Sequence, residues 1–102
     1  MDNLWTWSGK YFGYRQEDNL RTYKGNHVGH FVGDRVYSLD GNYLGEVKDD
    51  RLIVNRSRKN LRSSRIARFA KNVSHVKMVD YVGYVMLVGY EDFPSPEAFE
   101  ND

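Results

Sequence analysis

Apolar and polar positions alternate in short bursts from residue 3 to residue 56, and the bursts recur at a fixed step. Set in rows of 16, the chain reads "NLWTWSGKYFGYRQED" (3–18), "NLRTYKGNHVGHFVGD" (19–34) and "RVYSLDGNYLGEVKDD" (35–50). A fourth row opens with "RLIVNR" at Arg51, breaks, and resumes as "VDYVGYVMLV" over 79–88. Down the columns stand Leu4, Leu20, Val36 and Leu52, then Phe12, Val28, Leu44 and Val82, and the identical Gly13, Gly29, Gly45 and Gly83. Period-two alternation of this kind is the mark of half-buried strands. Each row therefore predicts a hairpin: a strand, a turn at Ser8-Gly9, Lys24-Gly25 or Asp40-Gly41, and a second strand. Glu17-Asp18, Gly33-Asp34 and Asp49-Asp50 turn the chain into the next row.

A glycine inside a strand weakens it unless a bend or a close backbone approach needs the missing side chain. The four column glycines are expected to meet one shared constraint, crowding near a common axis, and to bind nothing. After Val88 the segment "GYEDF" (89–93) matches the first strand of a further unit. It is expected to help close the ring near the N-terminal strand and remove a free edge.

These residues carry a resemblance. The run from "SGKYFGY" through "YKGNHVGHFVGDRVYSLDGNYLGEVKDDRLIVNRS", a basic spacer, and "VDYVGYVMLVGYEDFP" resembles the bacterial 4-fold beta flower domain family over residues 3–94. The resemblance implies a small all-β fold of four petal-like hairpins about a pseudo-fourfold axis, and it brings no catalytic residues. The split fourth row departs from the pattern, because Val79 stands where the other rows have a turn glycine. The expected organisation is one domain over 1–93, with repeats at 3–18, 19–34, 35–50 and 51–56 plus 79–88, an insertion at 57–78, and a polar tail at 94–102 that frays at its end.

Composition narrows the picture further. A chain of 102 residues holds one modest core. Without cysteine it has no disulfide and no thiolate metal site. The N-terminus has no basic stretch leading into an apolar run, and no apolar run approaches the ~20 residues of a membrane span, so a soluble, cytoplasmic protein is expected. The net charge of +1 conceals an asymmetry. The insertion "SRKNLRSSRIARFAKNVSHVKM" holds seven of the fifteen cations and none of the fourteen acids, which leaves the other eighty residues at −6. Ile66, Phe69, Ala70 and Val73 follow helical spacing, and Ser63 or Ser64 suits the cap, so a short amphipathic helix is predicted there.

Two readings of the insertion follow. Arg58, Lys59, Arg62, Arg65, Arg68 and Lys71 could contact an anionic partner, nucleic acid first, with an acidic protein or an anionic membrane surface as the others, adsorption to the last being weak because the apolar face is short and lacks tryptophan. Alternatively the segment is a solvated cover that docks its apolar stripe on the β body and offsets the acidic remainder. Trp5, Trp7, Tyr23 and Tyr37 share the strand face opposite the leucine column; left bare they are candidate aromatic contacts, and covered by the insertion they form a second core.

Enzymatic chemistry has little support. His27 and His30 fall on opposite strand faces and make a poor metal pair, so no metal or cofactor is expected. Glu46 shares a column with Tyr14, His30 and Tyr84, and a Glu46/His30 site is the one arrangement that would suit acid–base work. The expectation is a non-enzymatic binding module, with a structural or homo-oligomerising protein as the alternative and an enzyme with an axial Glu46/His30 site as the third reading.

Overall fold

The computed structural model describes residues 2–100, which occupy about 36 × 33 × 24 Å. Seven strands follow one another as an antiparallel meander: β1 (Asp2–Thr6), β2 (Tyr11–Gln16), β3 (Asn19–Thr22), β4 (His27–Val32), β5 (Arg35–Ser38), β6 (Tyr43–Lys48) and β7 (Arg51–Asn55). An odd number of alternating strands brings the first and last together in parallel, and β1 closes on β7 through Trp5 opposite Arg51 and Thr6 opposite Leu52. The protein is thus a closed all-β barrel, and closure leaves β1 and β7 no free edge over these residues. An eighth strand, β8 (Tyr90–Asp92), pairs antiparallel with the second half of β7.

The 16-residue step of the sequence is also the step of the strand register. Leu4 faces Gly13, Leu20 faces Gly29 and Val36 faces Gly45, and each pair is followed by the same irregularity. A Cβ on these three glycines would lie 2.1, 2.8 and 2.6 Å from the carbonyl oxygens of Arg21, Tyr37 and Ile53. The shared constraint is therefore the backbone of the next hairpin, pressed so close that no side chain fits. Gly83 is not part of this set, because its nearest backbone is Ser8 at the first hairpin turn.

Leu4, Leu20, Val36 and Leu52 stand in the core with Phe12, Phe31, Val54 and Phe93. Each such side chain withdrawn from water is worth about 1.5–3 kcal/mol. Phe93 shows how the fourth hairpin is made. Ile53 faces Asp92 as Trp5 faces Tyr11, which puts Phe93 in the place of Phe12. The expectation that 79–88 supplies the second strand is corrected: those residues carry no strand, and β8 does that work. "GYEDF" likewise completes this hairpin on β7 and does not begin a further unit.

The predicted helix in 57–78 is absent, and among the described residues there is no α-helix. A 3-10 turn at Arg56–Arg58 ends β7, and a second at Pro96–Phe99 lays Phe99 against Phe12 and Phe93. Glu97 pairs with Lys10, which lies beside the first hairpin turn. The tail therefore docks as far as Glu100, and the expected frayed end lies outside the described residues.

Turn glycines of the two ends of the barrel differ in what surrounds them. Gly25 has φ +93° and a Cβ there would lie 2.3 Å from the Asn72 carbonyl oxygen, whereas Gly33 has φ +61° and open space. Gly33→Ala should cost about 1 kcal/mol for its left-handed backbone. Gly25→Ala should cost that plus roughly 1–3 kcal/mol of overpacking, so urea unfolding should separate the two variants clearly.

Candidate functional site: a strap around the barrel

Between β7 and β8 the chain leaves the sheet for residues 56–89 and returns to the same strand. Loops of this length without strands or helices are uncommon in small domains and usually functional. This one is a strap that passes the hairpin turns in reverse order. Ser63 and Ile66 donate their N–H groups to the carbonyls of Gly41 and Leu39 at 2.8 and 3.0 Å. Asn72 and His75 donate to Gly25 and Tyr23 at 3.0 and 2.7 Å, and Tyr81 and Tyr84 donate to Gly9 and Trp7 at 2.7 and 3.0 Å. Nine residues of strap thus cross each 16-residue unit of the barrel.

Within each crossing the inward N–H groups are three residues apart, and Phe69, donating to His27 Nδ1 at 2.9 Å, keeps the same spacing. An extended chain with three residues per turn has three edges. The inner edge carries Phe69, His75, Tyr81 and Tyr84, which stack or pack edge-on against His27, Tyr14, Trp5 and Trp7. Carbonyls set between these N–H groups also point inward: Ala70 accepts from Arg21 Nη1, Val79 from Trp5 Nε1, Val82 from Arg51 Nη2 and Val85 from Trp7 Nε1, at 2.9–3.1 Å. Among the described residues no carboxylate pairs with the buried Arg51; its guanidinium lies 4.0 Å above the Tyr84 ring, so carbonyls and an aromatic face solvate the charge.

Three of the four candidate aromatic contacts therefore belong to the interior. Trp5, Trp7 and Tyr37 are buried and Tyr23 is half-buried. The cover over Trp5 and Trp7 is Tyr81 and Tyr84 of an extended strap, not a helix bearing Ile66 and Phe69.

The six candidate cations divide into two groups. Arg58 pairs at 2.9 Å with Glu46, whose side chain is 8 % exposed, and Lys59 pairs with Glu91. Arg62 bonds the carbonyls of Lys59 and Leu61, and Arg65 makes one exposed contact of 3.4 Å to Asp40. Arg62, Arg68 and Lys71 are exposed and, among the described residues, make no ion pair. Arg62, Arg65, Arg68, Lys71 and, two steps on, Lys77 all fall on one edge of the strap. The spacing of three that reads as helical in the sequence is the period of an extended chain.

Glu46 and His30 make no hydrogen bond to each other, and their side-chain partners differ. Glu46 accepts from the Tyr43 hydroxyl at 2.8 Å and lines an open cleft of about 420 Å³ with Val32, Asp34, Arg35, Val47, Lys48 and Arg58. His30 Nε2 stands 3.5 Å from Ser63 Oγ. Burial pushes the Tyr43 hydroxyl far above its ordinary range, so it remains a donor. Among the described residues no cluster of three or more His, Cys, Asp or Glu could hold a metal, and no helix is long and apolar enough to cross a membrane.

A closed all-β barrel belted by an extended strap defines a class of small repeat scaffold. The chain belongs to the 4-fold beta flower protein family, whose pattern it matches over residues 2–87. No curated protein and no solved structure matches it.

Two predictions concern how the strap is held. Burial first, and Arg21 next, depress the His27 pKa below its ordinary 6.5, and its Nδ1 must stay unprotonated to accept from Phe69. Below pH 6.5 the unfolded chain binds the proton more readily, so stability should fall as pH drops through 6.5 toward the folded value. His27→Asn, which keeps an acceptor without titrating, should flatten that limb of the thermal midpoint between pH 8 and 5. Arg58→Ala leaves the buried Glu46 with only the Tyr43 hydroxyl and should cost about 1–3 kcal/mol by urea unfolding. Arg65→Ala, at an exposed pair, should stay within about 0.5 kcal/mol of the parent.

Proposed function

We propose that this protein is a non-enzymatic binding module whose strap contacts an anionic partner, nucleic acid first, in a reducing cytoplasm. The observation that carries the reading is the row Arg62, Arg65, Arg68 and Lys71, spaced every third residue along an extended strap. At roughly 3 Å per residue the cations stand about 9–10 Å apart, a linear array suited to a polyanion. Arg58 and Lys59 are left out of the contact set because Glu46 and Glu91 already hold them. The buried Trp5, Trp7 and Tyr37 are left out as well, as is Tyr23, which Glu97 and Lys77 already engage, so binding runs through phosphates and is weakly selective for sequence.

Labelled single- and double-stranded nucleic acid should bind at low salt and dissociate steeply as salt rises. Arg62→Ala/Arg65→Ala/Arg68→Ala should weaken binding at least about tenfold and lower the salt slope by about two to three. Absence of binding at low salt would overturn the reading; capture of an acidic peptide in its place would move it to a protein partner.

A further inference from the structure

The outer edge of the strap carries Val73, Val76, Val79, Val82, Val85 and Val88, one every third residue, each 76–101 % exposed. Met78, Tyr81, Tyr84, Met86 and Leu87 beside them are 39–49 % exposed. Soluble monomers rarely display a contiguous apolar surface above a few hundred Å². Burying a valine at about 25 cal/mol per Å² for about 1.5–3 kcal/mol corresponds to roughly 60–120 Å², so six give about 400–700 Å². That is half or more of the ~800 Å² per partner of a stable dimer.

The chemistry of this edge selects its occupant. From Val73 to Val88 the charged residues are Lys77, set 5.5 Å over the Tyr23 ring, and Asp80, tied to the Tyr11 N–H at 2.8 Å. Neither nucleic acid nor an anionic bilayer finds a row of cations in that run. A neutral column can meet its own copy without repulsion, which the basic row before it cannot. Valines about 9 Å apart leave gaps about twice an apolar contact distance, and a second column of the same period fills them. Another copy of this strap has that period.

We propose that two copies of this chain pair face to face about a two-fold axis through the valine edge of residues 73–88. In such a pair the strap circulates in opposite senses in the two copies. The curved edges therefore run antiparallel, with Val79 and Val82 nearest the axis. This surface is separate from the basic row proposed above to bind anions.

Sedimentation of the full chain over about 1–300 µM tests it, a range that brackets moderate affinities. The expected result is a species of twice 12.0 kDa that persists at high salt. Val79→Asp/Val82→Asp should be monomeric with unchanged circular dichroism, whereas Arg62→Ala/Arg65→Ala/Arg68→Ala should remain dimeric, so loss of either property leaves the other readable. Because the chain has no cysteine, a mixture of Val73→Cys and Val88→Cys variants should cross-link to each other in preference to themselves. That readout decides the matter if the aspartate variant fails to fold. A monomer at every concentration, a dimer indifferent to both aspartates, or cross-links of Val73→Cys chiefly to itself would each overturn the proposal. So would a monomer that floats with phosphatidylserine vesicles, which would assign the edge to a bilayer.

Discussion

Peptide groups laid on a protein surface outside any sheet still need partners, and meeting that need organises this molecule. Seven strap N–H groups find an acceptor on the barrel, six of them backbone carbonyls at or beside the hairpin turns. The bonds recur because the turns recur. A strap without strand or helix thereby gains regularity borrowed from the repeat beneath it, and its three edges acquire fixed duties: one inward, one basic, one apolar.

The same contact explains why the turns carry glycine. At Gly9 and Gly41, as at Gly25, an added Cβ would collide with a strap carbonyl. The turn glycines and the strand glycines thus answer to two different neighbours, the strap and the next hairpin. Buried cations serve the strap as well: Arg21 and Arg51 reach its carbonyls, a use for charge inside a small core that requires no acid.

The step of 16, the turns and the leucine column were legible in the sequence because strand alternation and hairpin turns are local. The strap was harder to see. Ile66, Phe69 and Val73 satisfy helical spacing, yet 66 and 69 also satisfy a period of three, and a helix search stops before the valines that distinguish the two. Read to Val88, the valine at every third position breaks helical phase and was the available signal. What no local pattern shows is that a segment continues the fourth hairpin only after a circuit of the barrel. That kept Phe93 from its column, and it made Glu46 and His30 look like neighbours when each is taken up by a different part of the strap, Arg58 and Ser63.

The fourth hairpin is split by its own strap, and this orders events during synthesis. The first seven strands can meet as they emerge, but the strap has nothing to lie on until their turns exist. The last petal closes only when Phe93 has left the ribosome. Its closing loop is the longest in the chain and carries the largest entropy of closure. Until residues 79–85 have settled over them, Trp5 and Trp7 stand uncovered, so the hazard of mispairing is concentrated in the interval between completion of the barrel and docking of the strap.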